Sequence, residues 1–391
     1  MYKRSFPPIA ASVALPSEPR TFGRVRQAEL TERYLQHALP EVEAFFLAIR
    51  AHVDPSLQRA QPVKLGKPYP MGQCLEISLA VAQRLQQQVD PAALQLSERA
   101  AAGYAAFSAF RKAGGQFRRT WGDLRGEFFQ NAFQLGTFYL DVSNDTVTPS
   151  KPKVEILPFE QARFVPIADF RHFTRIATRY WQHAIYPNHL LPELAPYCPL
   201  IHVAPSGQVI ITEATDYMVA MTQAGRFEPS EAVLRDAAMP AHLFKRLAAA
   251  LAGSAWKLAP GPEEGRAMAL RACREHRRKG WHTSPQKAAE AITAVHGINR
   301  KLAVAMAAQS PAAKSQPHPH LETVSTMSTI DKMQINGVTY DLADMSLEAR
   351  QQLEMVRATD AKLADLKRDM AIIQTARNVY IAELMKLLPK Q

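Results

Sequence analysis

The stretch from Trp121 to Ser143 constrains this chain more than any other. It is the densest run of aromatic and β-favouring residues in the sequence. Two strand-like segments, 128–135 and 137–142, flank Gly136, a residue that turns the backbone at little cost. Two adjacent runs of this kind must pair antiparallel, and their apolar faces need cover from elsewhere. The cover is at hand. Residues 29–39 and 42–52 place Leu30, Tyr34, Leu35, Leu39, Phe45, Phe46 and Ile49 at three- and four-residue spacing, and Pro40 suits the first turn of the second helix. Residues 75–89 and 97–113 repeat the pattern, the first closed by Asp90-Pro91 and the second by Gly114-Gly115.

Downstream, residues 151–158 predict an extended edge strand, and 169–186 an amphipathic helix with Phe173, Ile176, Ala177, Tyr180, Trp181 and Ala184 inward. Residues 200–203 and 209–212 flank Pro205-Ser-Gly-Gln and predict a hairpin. Helices are expected over 214–224, 229–237, 240–251, 263–279 and 285–295. Residues 306–328, rich in Ala, Ser, Gln and Pro, form a linker. Beyond it, Asn336-Gly337 between two short alternating runs predicts a tight hairpin. Residues 347–388 then contain neither Gly nor Pro, and their apolar stripe includes Leu353, Val356, Leu363, Leu366, Met370 and Ile373. One long helix, or two bent near Thr359, satisfies that stripe. Burying it on a partner or a second copy makes this an association module.

The fold class is therefore α+β: a helix-rich body with a small antiparallel sheet, plus a C-terminal β-hairpin and long-helix module. The expected divisions are an N-terminal arm and helical layer (1–60), a main α+β domain (61–305), the linker (306–328) and the module (329–391).

Charge adds a constraint. The formal net charge is +11. Residues 331–391 hold nine acidic and nine basic side chains, so the excess lies upstream. A basic body can meet nucleic acid, anionic lipid or an acidic protein. Arg274, Arg277, Arg278 and Lys279 precede Gly280-Trp281 and are the candidate polyanion contacts; the same cations also suit a helix C-terminus. No apolar run approaches the ~18–20 residues of a membrane span. The N-terminal basic start and short apolar piece read as a proline-punctuated arm, with a secretory signal as the second choice. Three cysteines without a CxxC pair indicate neither a disulfide framework nor a cysteine-rich zinc site, and a reducing cytoplasm is the expectation. No metal and no cofactor is expected, and His172, His183 and His189 lack a carboxylate at ligand spacing.

One cysteine stands apart. Cys74 follows a Pro- and Gly-rich loop and opens a helix, where the positive end of the helix dipole favours a thiolate. A small buried apolar side chain is the alternative. Gly72-Gln-Cys74 opening a helix, with Phe138-Tyr-Leu-Asp141-Val-Ser on a later strand, resembles the transglutaminase-like and papain-like thiol hydrolases. Their cysteine, histidine and aspartate occur in that chain order. The resemblance covers about residues 60–150. It departs at the middle position, where Asn131-Ala-Phe stands in place of His-Ala-aromatic, and an asparagine cannot accept a proton at neutral pH. It implies a degenerate scaffold in which Cys74, Asn131 and Asp141 converge, with Gln130 and Trp121 as ligand-contacting groups. The scaffold would hold a peptide or protein partner without cleaving it. An active cysteine-dependent hydrolase or acyltransferase with a base from His172, His183 or His189, and a polyanion-binding protein, are the other readings. Separately, the tail is similar to a family of short, uncharacterised bacterial and phage proteins that share Ile335-Asn-Gly-x-x-Tyr340, a Leu-Ser helix start and Thr375-Ala-Arg-x-x-Tyr380; Met327-Ser-Thr-Ile reads like the start of a free-standing version.

Overall fold

The computed structural model describes residues 15–64, 67–86, 94–211, 216–308, 332–335 and 338–341. By contacts the chain divides into two units, Met1–Lys314 and Ser315–Gln391. The helices of the first unit are α1 Arg24–Tyr34, α2 Leu39–Ala60, α3 Cys74–Gln86, α4 Glu98–Lys112, α5 Phe170–Trp181, α6 Asp216–Ala224, α7 Glu228–Leu234, α8 Ala241–Ala250, α9 Pro262–Arg278 and α10 Pro285–Ala308. Its strands are β1 Val63–Lys64, β2 Lys67–Pro68, β3 Phe117–Leu124, β4 Phe128–Leu135, β5 Phe138–Asp141, β6 Glu155–Pro158, β7 Phe164–Val165, β8 Ala184–Pro187, β9 Leu200–Val203 and β10 Val209–Ile211. The α+β class holds.

The aromatic stretch lies at the centre of a five-stranded antiparallel sheet ordered β6-β5-β4-β3-β7. Side chains alternate between its two faces. Phe133 and Leu135 of β4, with Phe138 and Leu140 of β5, face the helical layer, where they bury against Phe45, Phe46 and Ile49 of α2, Ile77 and Val81 of α3 and Phe107 and Phe110 of α4. Ala132 and Tyr139 face the other way, onto Phe159, Ala162 and Phe164. The helical residues 24–60 thus share one core with the sheet.

Two glycines set close approaches. Gly136 has φ +60°, and a Cβ there would stand 2.2 Å from the Thr31 hydroxyl. A Cβ on Gly103 would lie 1.9 Å from the Glu41 carbonyl oxygen, so α4 can seat against α2 only with glycine at this point. Across the same layer, Arg50 of α2 is fully buried. It donates to the Val142 carbonyl and both carboxylate oxygens of Asp145, and its Nε bonds Asp54. Burial alone would lower its pKa, but the two carboxylates outweigh that and raise it.

The rest of the unit builds a second core from α6–α10 around the three-stranded sheet β10-β9-β8. Asn299 of α10 closes the sheet by taking the place of a strand: its side chain accepts from the Ile211 N–H and donates to the Ile211 carbonyl, both at 2.8 Å. Here the structure corrects the helix expected over 169–186. It stops at Trp181, Gln182 takes a left-handed conformation (φ +58°), and Ala184 and Tyr186 belong to β8. The pull of β9, which pairs with β8 from Pro187↔Leu200 to Ala184↔Val203, overrides the helical spacing. In the opposite direction, α10 continues past the expected end at 295 to Ala308, into the start of the predicted linker.

In the second unit, Lys332–Ile335 pairs antiparallel with Val338–Asp341, and Ile335 stands opposite Val338. That register belongs to a hairpin with a two-residue connection. The long helix expected over 347–388, and with it the association role, lies outside the described residues.

Candidate functional site

The loop before α3 is held by backbone and side-chain bonds and by Tyr69, which packs against the core. The Gly72 N–H donates to the Thr146 carbonyl at 2.9 Å, and the Gln73 side chain donates to the Gln61 carbonyl at 2.9 Å. These contacts present Cys74 at the first residue of α3 with 8% of its surface exposed. The Asn131 Nδ2 of β4 donates to its sulfur at 3.6 Å. Trp121 of β3 is directly opposite Asn131 in the sheet register, stacks on Phe129 at 5.4 Å and meets Tyr217 edge-on. Cys74, Asn131 and Trp121 therefore lie on the helical side of the sheet, and Leu75 and Leu79 of α3, each 43% exposed, lie one residue and five residues beyond the thiol.

Asp141 does not join them. In the β4–β5 register Phe133 is opposite Leu140, so Asp141 shares the face of Tyr139 and Ala132 and points away from Asn131. One residue of phase places a side chain on the other side of a sheet. There Asp141 accepts from the Gln130 amide (2.6 Å), the Tyr139 hydroxyl (3.0 Å), and the Ser143 N–H (2.7 Å) and hydroxyl (3.0 Å). Burial without a cation pushes its carboxyl up to about 6 despite these four bonds. The expected convergence of Cys74, Asn131 and Asp141 is corrected to two separate pairs, Cys74–Asn131 on one face and Asp141–Gln130 on the other.

Of the two readings of Cys74, the small buried side chain is the one its surroundings favour. Burial raises the thiol above its ordinary value, and the Asn131 hydrogen bond pulls it down by less. Cys198 and Cys273, buried in the second core, are pushed up to about 12 by the same desolvation.

None of the three downstream histidines is a hydrogen-bond partner of Cys74. The His172 Nδ1 accepts from the Ala168 N–H at 3.1 Å. Its Nε2 therefore carries the proton and donates to Asp123 Oδ2 at 2.8 Å. Both nitrogens are engaged. His189 is fully buried and donates through Nε2 to the Leu234 carbonyl. His183 packs against Trp181 and His202. The Asp123–His172 pair was not visible in the sequence: its members are 49 residues apart and only the packing of α5 on β3 joins them.

The four cations of the basic cluster share two carboxylates, Glu231 and Glu275. Arg277 donates to Glu231 and to the Arg226 carbonyl, Arg274 lies 3.9 Å from Glu231, and Arg278 and Lys279 pair with Glu275. Trp281 has the Lys279 and Lys287 ammonium groups over its ring at 4.8 and 5.0 Å, and His276 beside it at 4.4 Å, so its faces are taken. Arg277, 24% exposed, is held by its partners, whereas Arg274 and Arg278 are 59% and 78% exposed beside theirs. Among the described residues no cluster of three or more His, Cys, Asp or Glu side chains could hold a metal ion, and no helix is long and apolar enough to cross a membrane.

Comparison with known proteins finds no family model, no curated protein and no solved structure that matches the chain.

Proposed function

We propose that the body of this protein is a non-catalytic binding module that captures a peptide or protein partner over the Cys74–Asn131 face. The observation that carries this reading is the bond from the Asn131 amide to the Cys74 sulfur. The thiol's side-chain partner is a donor, while a nucleophilic cysteine needs a proton acceptor beside it. Burial reinforces the point by favouring the neutral thiol. With the thiol neutral, Cys74 serves as a small floor to the site. Asn131 and Trp121 supply an amide and an aromatic wall, and Leu75 and Leu79, one turn apart on the outer side of α3, supply an exposed apolar strip. A polar floor beside an apolar ridge suits an extended peptide, whose backbone needs hydrogen bonds and whose side chains need cover.

The test is selection of a displayed random-peptide library on the full chain. Enriched peptides should contain apolar anchors, should lose binding at least about tenfold with Leu79→Glu or Trp121→Ala, and should bind Cys74→Ala normally. Enrichment that survives both rim substitutions, or Cys74-dependent cleavage of a bound peptide, overturns the reading.

A further inference from the structure

Two imidazoles in the seam between the two cores are not used by the site described above. His183 follows Gln182, the residue that ends α5, and His202 lies in β9. The β8–β9 register sets His202 opposite Ile185. His183, two residues before Ile185, is thus the diagonal neighbour of His202 on the same face. The rings meet edge-on, with centres 5.9 Å apart and planes at 87°. His202 is 5% exposed, and its Nε2 is buried with no hydrogen-bond partner; the His183 Nδ1 is likewise buried without one. Leaving a buried ring nitrogen unpaired costs about 1–3 kcal/mol, and these two belong to rings that are in contact.

We propose that His183 and His202 form a two-coordinate site for a monovalent soft metal ion, Cu(I). With a metal–nitrogen bond of about 2 Å and a ring centre about 1 Å behind the nitrogen, two imidazoles opposed across one ion have centres roughly 6 Å apart. The observed separation matches. Perpendicular planes are no obstacle, because a near-linear pair leaves each ring free to rotate about its bond to the metal. The surroundings select the charge and the coordination number. Trp181 packs against both rings and Phe173 against His202, so aromatic rings line the pair. With no third His, Cys, Asp or Glu in reach among the described residues, a closed tetrahedral zinc set is not available. The penalty for burying an ion grows with the square of its charge, which sets a divalent ion at a disadvantage where no carboxylate offsets it. His183 is partly exposed and provides the route in.

The test uses the full chain, titrated anaerobically with Cu(I) buffered by bicinchoninate, with X-ray absorption at the copper edge to tell nitrogen from sulfur ligands. One ion per chain should bind through two nitrogens and no sulfur. His183→Gln, at a partly exposed position that leaves the fold intact, should weaken binding by more than about a hundredfold, because loss of a mere outer-shell partner already costs 10- to 100-fold. His202→Leu, checked by circular dichroism, should do the same. Equimolar Zn2+ should not displace the ion. Failure to hold Cu(I), sulfur ligation through the cysteines, displacement by zinc, or unchanged binding in His183→Gln overturns the proposal.

Discussion

Replacing Asp141 with asparagine should reshape the pH dependence of stability. In the folded body this carboxyl is wholly buried and titrates at about 6, against an ordinary value of 3.8. Because the folded-state pKa is raised, the native state holds its proton more tightly than the unfolded chain does. Stability is therefore lost as the pH rises through the window from about 4 to 6. At about 1.4 kcal/mol per pH unit, the ionised form carries a cost of about 3 kcal/mol above that window. Asparagine keeps an acceptor for the Ser143 N–H and hydroxyl and has no charge to bury. Its amide hydrogens meet Gln130, whose Oε1 is buried without a partner and becomes an acceptor if the Gln130 amide turns over. Chemical denaturation of both proteins at pH 4 and pH 8 measures the effect as a difference, which removes the contribution of every other titrating group. The stability of Asp141→Asn relative to the parent should rise by about 2.5 kcal/mol between the two pH values. A difference that stays constant with pH would refute the argument, since it would mean that Asp141 ionises as freely in the folded protein as in water.

Gly103→Ala should destabilise the body by about 3 kcal/mol in urea unfolding, the upper end for overpacking, because the new methyl meets a backbone carbonyl that cannot rotate away. Arg50→Leu should cost about 3–5 kcal/mol by leaving Asp145 buried without its cation, and pairing it with Asp145→Asn should recover a measurable part in a double-mutant cycle. Iodoacetamide should label Cys74 in the native protein more slowly than a free cysteine at pH 7, with unfolded protein as the control; fast labelling at neutral pH would show a thiolate that burial does not permit. His202 and His276, held by burial at about 3 and about 4, contribute stability that is whole above pH 6.5 and lost as the pH falls below it. Each substitution by Gln should flatten the parent's acid-side decline, followed by thermal melts from pH 7 to pH 4.

Much of the α+β body could be read from local pattern. Helices α2 and α4 announced themselves through Phe45, Phe46, Phe107 and Phe110 at helical spacing, and Ser97 caps α4 through its hydroxyl as its type suggests. The strand 128–135 matched to the residue. What failed locally was the α5–β8 junction, where a helical stripe continued on paper through Ala184 and Tyr186 while pairing with Val203 and Ile201 of β9 claimed them. In the candidate site, Cys74 and Asn131 were named from the chain and do meet. The placement of Asp141 was misjudged by a single residue of phase, because an aspartate in the right stretch of sequence says nothing of its face until the register with β4 is known.

The sequence by itself determined the elements: spacing of apolar side chains, caps and turn residues act within a few positions of one another, and those forces are present in any fold the chain could adopt. Only the tertiary structure decided the chemistry. Burial turned the thiol at a helix start from an activated group into a neutral one, and set Asp141 among donors with no cation. It also joined His172 to Asp123 across 49 residues and brought His183 against His202. Ionisation and coordination depend on what surrounds a group in space, and those neighbours come from distant parts of the chain.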